Sequence, residues 1–439
     1  MDIYLKKYGY FIFIIGSIIL YYYVGYQLVR HQFVLLITVV FLLFILYWFA
    51  IKYLNFNWWL IVLPRLVFLM AVPVLSDDYF RFVWDGLLVA NGQNPFQYLP
   101  SQLPQTLVFD GLNSKHYYSV YPPLLQLIFG LSAHLAKGNI LNNLIILRLF
   151  IIAADIGSIY LIIKILSFFK MPKNRAFLYA LNPLVIIELT GNLHFEAISI
   201  FFLLLCIYAL FVKQKLFFAA LSLAASVLIK MLPLVFIPLI ITYLGFRKGL
   251  LFAMITALFI ILAFLPFLNF TIISNISQSL DLYFQKFEFN GSFYNLVKWL
   301  GIIINKNNPI MVAGPILSLV AFFIILWLAF KEFKSEKTNN HKINAEYNFI
   351  YLGLLSISVY FLLATTVHPW YLTTLLALAC FTHYKYVVVW SGMVVLSYSA
   401  YHINGFHENF YLIFVEYAVV FSVILFDFKR LTSARPSNF

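Results

Sequence analysis

Long apolar runs, separated by short polar segments, follow one another along almost the whole chain. A membrane-spanning helix needs about 20 mostly apolar residues, and fewer when it is buried inside a bundle. The clear runs of this kind lie near residues 9–29, 33–51, 58–75, 143–169, 195–212, 250–270, 310–331, 347–366, 385–401 and 409–427. Shorter or interrupted runs lie near residues 121–136, 176–190, 216–244 and 370–382. The pattern predicts an all-α, polytopic helix bundle of about 11 to 14 transmembrane spans.

The run at 216–244 contains three residues that interrupt a span, Lys230, Pro233 and Pro238. Because proline breaks the helical hydrogen-bond ladder, this run forms either one kinked helix or two short ones. Both forms leave backbone groups unpaired at membrane depth, where they are tolerated only against protein or water. The segment is therefore predicted to line a cavity.

The composition indicates a membrane protein. Of the 439 residues, 63% are hydrophobic and only 10% are charged, whereas about a quarter of the residues of soluble domains are charged. The net charge of +13 is explained by Lys and Arg in cytoplasmic loops facing anionic membrane lipid, so no nucleic-acid partner is expected. Cys206 and Cys380 lie in apolar runs and are interpreted as small core residues.

The distribution of basic residues predicts the orientation in a plasma membrane, which we expect to be bacterial. The basic clusters placed in the cytoplasm are Lys6–Lys7, Lys52, Lys170–Arg175, Arg247–Lys248 and the tract at 331–342. With a retained first span starting inside, the third span ends near Leu75. Residues 1–439 then form one membrane domain, with an extracytoplasmic loop at 76–121 and a cytoplasmic loop at 332–346.

The predicted spans between residues 121 and 175 conflict with the positive-inside rule. If both 121–136 and 143–169 crossed the membrane, the cluster at Lys170–Arg175 would lie outside, against the positive-inside rule. One of these two segments is therefore predicted not to cross fully.

The sequence SDDYFRFVWDG at 76–86 directly follows the third run and carries the strongest chemical signal. Read as a helix, it places Asp77, Arg81 and Asp85 on one face at a spacing of four residues. Trp84 belongs to an aromatic face of the same helix. One interpretation is an amphipathic helix lying on the bilayer, with its acids hydrated or paired with Arg81.

The second interpretation is an active centre. Asp77 and Asp78 are adjacent in a chain with only 16 acidic residues. Neighbouring carboxylates repel each other, so the pair needs a metal ion, a cationic side chain or a raised pKa. A divalent metal ion is left open, and no metal ligands are assigned.

Polar residues next to apolar runs mark further candidate substrate-binding positions. They are Tyr121 before two prolines, His194 and Glu196 in GNLHFE, Lys230 in LIKMLP, and His368, Trp370 and Tyr371 in VHPWYL. A charge at the bilayer centre costs about 2.5–3.5 kcal/mol on insertion scales, so charged residues within the runs need partners or water. His194 and Glu196 lack the spacing of a zinc motif, and a hydrogen-bonded pair at a helix start is the simpler interpretation.

Taken in order, SDDYFRFVWDGLLVANGQNPF, YPPL, GNLHFEA, LIKMLPLVFIPL and VHPWYL make the chain resemble one group of bacterial membrane mannosyltransferases. These enzymes are related to the one that adds the first mannose of GPI anchors and belong to the GT-C superfamily of glycosyltransferases. The resemblance covers residues 60–425. It implies a GT-C-like bundle and a polyprenyl-phosphate sugar donor used on the extracytoplasmic face. It also implies that Asp77, Asp78 or both act at the active centre.

The chemistry of the residues agrees with this resemblance. A carboxylate can take the proton of an acceptor hydroxyl as the phosphate leaves the sugar, and one such base predicts inversion at the anomeric carbon. The candidate partners of the phosphate are Arg81, Lys230, His194 and His368. The expected activity is transfer of a hexose, mannose by the resemblance, to a glycan or lipid acceptor.

Two other classes of function remain open from the sequence alone. A transporter or a flippase of lipid-linked saccharides would carry its ionisable groups at mid-membrane on symmetric segments. A scaffold, or a polysaccharide ligase or polymerase of another family, would not depend on Asp77 and Asp78 for mannosyl transfer.

Overall fold

The computed structural model describes residues 2–104, 108–285, 287–335, 342–403 and 405–433, and helices account for most of them. The α-helices are α1 Asp2–Tyr26, α2 Phe33–Tyr53, α3 Trp58–Leu66, α4 Asp78–Ala90, α5 Pro123–Ala136, α6 Ile140–Phe168, α7 Phe177–Ala180, α8 Pro183–Val185, α9 Glu196–Phe211, α10 Leu216–Val227, α11 Phe236–Leu244, α12 Phe246–Phe264, α13 Ile272–Gln285, α14 Phe293–Asn305, α15 Ile310–Ser335, α16 Lys342–Leu363, α17 Leu372–Ala379, α18 Tyr386–Met393 and α19 Phe410–Ser433.

Shorter elements connect these helices. The 3₁₀ turns are Pro100–Gln102, Lys173–Ala176, Leu232–Val235, Leu265–Phe267, Pro369–Tyr371 and Val394–Ala400, and a π-helical turn covers Ile186–Gly191. Two short strands, β1 Tyr401–His402 and β2 Gly405–Phe406, pair in an antiparallel arrangement. The predicted all-α class is therefore confirmed.

Seven helices among the described residues are long and apolar enough to cross a membrane: α1, α2, α6, α12, α15, α16 and α19. The broken pair Pro183–Gly191 and Glu196–Phe211 would make an eighth span, with a bend of 115° between its halves. The expected count of 11 to 14 spans is not confirmed. Several predicted spans are short helices joined by turns, because Pro64, Pro183, Pro233 and Pro369 lie at or near the breaks.

The length of α5 agrees with the prediction that one of the segments at 121–136 and 143–169 does not cross fully. This helix has only 14 residues and is not among the seven spanning helices, whereas α6 has 29. After α6, the backbone N–H of Phe56 donates to Asn174 Oδ1 at 3.2 Å, and Lys173 Nζ lies 3.9 Å from the centroid of the Phe56 ring. Lys52 and the cluster at Lys170–Arg175 therefore lie at the same end of the bundle, as the positive-inside rule requires.

Aromatic contacts join the other basic clusters to this end. The ring of Phe169 contacts Tyr347 just after the tract at 331–342, and the ring of Tyr243 just before Arg247 contacts both Phe211 and Phe349. Residues 336–341 of the predicted cytoplasmic loop lie outside the described residues. The described parts of the basic clusters share one end of the bundle, called the basic end below.

Buried charges inside the bundle are paired. Arg65 Nε donates to Asp155 Oδ2 at 2.6 Å, Tyr179 donates to the other oxygen of Asp155, and all three side chains are fully buried. Arg148 donates to the carbonyls of Thr190, Leu69 and Gly191. These contacts satisfy charges that would be costly in lipid, and they tie α6 to the chain between α3 and α4 and to the π-helical turn.

The helix α4 confirms the predicted helix after Ser76, but it does not lie on the bilayer with a hydrated charged face. Arg81 and Asp85 are buried, and α4 packs closely on α5. A Cβ at Gly86 would stand 2.5 Å from the carbonyl oxygen of Phe129. Only glycine permits this approach, which brings the second half of α4 against α5.

Candidate active site

A cavity of about 530 Å³ opens where α4 begins, at the end of the bundle away from the basic clusters. Its walls come from the start of α4, the segment at 113–122, the break after α10, the turn at 368–371 and the β1–β2 hairpin. Of the predicted site residues, it is lined by Asp77, Asp78, Arg81, Tyr121, Lys230, His368, Trp370 and Tyr371. Chain segments more than 300 residues apart in the sequence therefore meet here.

Trp84, Asp85, His194 and Glu196 do not line the cavity. Trp84 is buried on another side of α4, where its ring contacts Phe109. His194 and Glu196 do not form the expected pair at the start of α9, because His194 Nε2 lies 3.6 Å from Glu188 and Glu196 faces Lys230. These residues support the walls of the cavity rather than form its surface.

Asp77 is paired with Arg30, a residue that the sequence analysis did not select. Asp77 is the N-cap of α4, and its Oδ2 forms an ion pair with Arg30 Nη2 at 2.9 Å. The guanidinium of Arg30 also lies over the ring of Tyr401, 4.3 Å from its centroid. A cationic side chain was one of the three predicted ways to relieve the repulsion between the two acids. The loop between α1 and α2 supplies this cation to Asp77.

Asp78 is the less constrained of the two carboxylates. Asn113 Nδ2 donates to its Oδ1 over a long 3.5 Å, and its backbone N–H donates to Ser76 Oγ. Burial raises the pKa of the Asp78 carboxyl above its usual range, although the positive charge of Lys230 opposes the shift. Asp78 thus has a raised basicity and a carboxylate that faces the cavity.

Lys230 lies in the break between α10 and the 3₁₀ turn at Leu232–Val235, so the run at 216–244 forms two short helices, as one of the two predicted forms required. Its Nζ is 3.0 Å from Glu196 Oε1 and 5.8 Å from the centroid of the Tyr121 ring. The side chain is 29% exposed while that of Glu196 is 5% exposed. Glu196 therefore holds an ammonium group at the cavity surface.

Arg81 uses its Nε and Nη1 donors for hydrogen bonds with other groups of the protein. Its Nε donates to Asp85 Oδ1 at 2.7 Å, and its Nη1 donates to the carbonyls of Ser114 and Tyr117. Asp85 in turn accepts from Ser119 and Gln126. This buried network shapes the segment at 113–122, so Arg81 and Asp85 act by positioning the cavity wall.

His368 and Trp370, two members of a stack of four rings, form another wall. Trp370 lies between His194, at 3.7 Å between ring centroids, and His368, at 4.3 Å, and His368 also stacks on Phe289. Burial lowers the pKa of His368 to about 3, helped by the charge of Lys230. His368 is therefore a neutral hydrogen-bonding group near pH 7, and its role as a partner of the phosphate stays a prediction.

Residues missed by the sequence analysis include Arg30, Asn113 and Tyr401, which line the cavity. Asn113 lies in a loop and Tyr401 in the short strand β1, and neither segment has a sequence pattern that distinguishes it. Arg30 did leave a signal, because it is a basic residue in the loop after the first span, on the side where the positive-inside rule expects few. Within the described ranges, no three His, Cys, Asp or Glu side chains converge as metal ligands would.

The sequence model of the alpha-(1->6)-mannopyranosyltransferase family, N-terminal domain, matches residues 15–245, just over half of the chain. The chain belongs to this family. It is accordingly a membrane glycosyltransferase, and the resemblance seen in its motifs is confirmed. The matched part includes Asp77, Asp78 and Lys230 but ends before His368. No curated protein and no solved structure shows significant similarity to the chain.

Proposed function

We propose that the protein transfers mannose from a polyprenyl-phosphate mannose to a hydroxyl of a glycan or lipid acceptor on the extracytoplasmic face, with inversion. The observation that carries this proposal is the meeting of two adjacent carboxylates and the ammonium group of Lys230 around one cavity. Proton removal and phosphate departure need groups of these opposite charges. Membership of a mannosyltransferase family supports transfer over the transporter and flippase alternatives.

Asp78 is the proposed general base. A base must reach the acceptor hydroxyl and hold a proton near working pH, and burial raises the pKa of Asp78 in that direction. Asp77 forms an ion pair with Arg30, so one of its carboxylate oxygens is already engaged. The two acids therefore have different environments and are assigned different roles.

The proposed reaction is one displacement. The acceptor oxygen attacks the anomeric carbon while its proton passes to a carboxylate oxygen of Asp78. The bond between that carbon and the phosphate oxygen breaks, and its electron pair leaves with the polyprenyl phosphate. Lys230 supplies the positive charge that stabilises the oxygen on which negative charge develops.

This scheme predicts the stereochemistry of donor and product. A direct attack opposite the leaving phosphate inverts the anomeric carbon. The description of the family specifies an alpha-(1->6) product. A product of that configuration requires a donor whose bond from mannose to phosphate is β.

Two features support the extracytoplasmic face and the lipid donor. The cavity lies at the end of the bundle opposite the described basic clusters, which the positive-inside rule assigns to the cytoplasm. Trp370 and Tyr371 add aromatic surface to the wall, which suits a sugar ring or a prenyl chain. The charged reaction centre thus lies beside surfaces that suit the apolar part of the donor.

The test is transfer of radiolabelled mannose from β-polyprenyl-phosphate mannose to acceptors in membranes containing the wild-type protein. We expect an α-linked product, identified by its sensitivity to an α-mannosidase, and loss of transfer in Asp77→Ala or Asp78→Ala. Asp110→Asn is the matched control, because Asp110 is an exposed acid of the same loop and does not line the cavity. Wild-type transfer unchanged by both alanine variants would refute this site.

A further inference from the structure

Arg30 is held at the cavity by two contacts from different parts of the chain. It belongs to the loop between α1 and α2, and its side chain is 27% exposed. Asp77 Oδ2 forms an ion pair with its Nη2 at 2.9 Å, and Tyr401 covers one face of its guanidinium. These two contacts hold the guanidinium in place, and Arg30 lines the cavity.

The hydrogen-bonding capacity of Arg30 is mostly unused. A guanidinium has five N–H donors, and in the part of the chain that the structure describes only Nη2 meets a protein acceptor. Arg81, the other arginine at the cavity, uses both Nε and Nη1 for the protein. Among the described residues, Arg30 thus uses fewer of its donors for the protein than Arg81 does.

We propose that Arg30 binds the phosphate of the sugar donor and that Asp77 is its positioning residue. This inference rests on the proposed function, which places a phosphate in the cavity. A planar guanidinium can bind two phosphate oxygens at once, whereas the ammonium of Lys230 acts as a point charge. Arg30 and Lys230 then flank the leaving phosphate, each held by its own carboxylate.

The ion pair between Arg30 and Asp77 is exposed, so Arg30 can exchange part of its contact with Asp77 for contacts with the phosphate. The Asp77 side chain is 43% exposed, and exposed ion pairs contribute little net stability because water competes for both charges. The phosphate of the donor carries one negative charge and gains a second as it leaves the sugar, when it offers Arg30 more acceptors and more charge than one carboxylate does. Arg30 can therefore turn its free donors to the phosphate without a large cost.

The experiment measures binding of radiolabelled undecaprenyl monophosphate, the leaving group itself, to the purified full-length protein in detergent. We expect Arg30→Gln to weaken binding about tenfold or more, because a charge-assisted contact is lost. Arg30→Lys should lie between this variant and the wild type. Asp77→Asn should bind at least as tightly as the wild type, because asparagine can keep a polar contact that positions Arg30 while the competing negative charge is removed. Arg247→Gln, an exposed arginine at the basic end, is the matched control.

The outcomes separate this inference from the function on which it rests. Unchanged binding by Arg30→Gln, with a measurable wild-type affinity, would overturn the role of Arg30 and leave the donor class standing. Equal losses in Arg30→Gln and Asp77→Asn would also overturn it, since the pair would then act only as a tie between loops. Absence of binding by the wild type would overturn the polyprenyl-phosphate donor and the inference together. Unfolding temperatures of all variants check that each one folds.

Discussion

Replacement of Asp78 by asparagine is expected to lower kcat for mannosyl transfer about 10²–10⁴-fold, the usual contribution of a general base. Asparagine keeps the shape of the side chain and can still meet Asn113, but it cannot take the proton of the acceptor hydroxyl. Initial rates with saturating donor and acceptor measure the effect. Asp77→Asn should lower kcat less, because Asp77 is paired with Arg30 and is not the proposed base.

The control for this comparison is Asp110→Asn, which removes an exposed acid from the same loop. Equal kcat values for Asp78→Asn and the wild type would contradict the assignment of the base. A larger loss in Asp77→Asn than in Asp78→Asn would exchange the roles of the two acids.

The pH dependence gives an independent test of Asp78. Because the base must be deprotonated, kcat/KM should fall as the pH falls through the pKa of the Asp78 carboxyl. Burial raises this pKa, so the acidic limb should lie above the usual range of an aspartate. A profile of kcat/KM against pH with the wild-type protein measures the limb. An acidic limb at an ordinary aspartate pKa would argue for a solvated base.

Replacement of Lys230 by methionine is expected to lower kcat about 10²–10³-fold, as removal of a group that stabilises developing charge commonly does. The same change should move the acidic limb to higher pH, because Lys230 holds the pKa of Asp78 down. Initial rates across pH measure both effects in one experiment. A kcat near that of the wild type would exclude Lys230 as the partner of the phosphate.

Two variants distinguish loss of charge from damage to the wall. Lys213→Met removes an exposed lysine at the end of α9 and should leave activity unchanged. Lys230→Met also leaves the buried carboxylate of Glu196 without its cation. The double variant Lys230→Met with Glu196→Gln removes both charges and so avoids this unpaired carboxylate. Low activity in the double variant supports the phosphate role. Recovery in the double variant would show that Lys230 only neutralises Glu196.

The sequence located the centre of the site because its signal there is local. Asp77 and Asp78 are adjacent, and the spacing of Arg81 and Asp85 is a property of one helix. The sequence did not assign their separate roles. Arg30 forms an ion pair with Asp77, and Ser119 and Gln126 donate hydrogen bonds to Asp85. Both sets of contacts join segments that are distant in the sequence. Composition and spacing do not encode such contacts.

The expected number of spans is not confirmed, for a related reason. Hydropathy reports that a segment avoids water, and it does not separate contact with lipid from burial inside protein. The helices α5, α10 and α17 are apolar, yet each has fewer residues than a span needs, and each packs within the bundle. The length of α5 also agrees with the prediction that one of the segments at 121–136 and 143–169 does not cross fully.

The sequence by itself determined the membrane class, the helical fold, the basic end and the acidic pair. These features follow from the free energy of transfer to lipid, from helical periodicity and from neighbouring charges, all of which act over short distances along the chain. The tertiary structure decided that Asp77 is the acid paired with Arg30 and that Lys230 faces Glu196. It also decided that Trp370 lies between His194 and His368. These choices depend on packing among segments that meet only in the folded bundle, where burial and nearby charges set the basicity of each group.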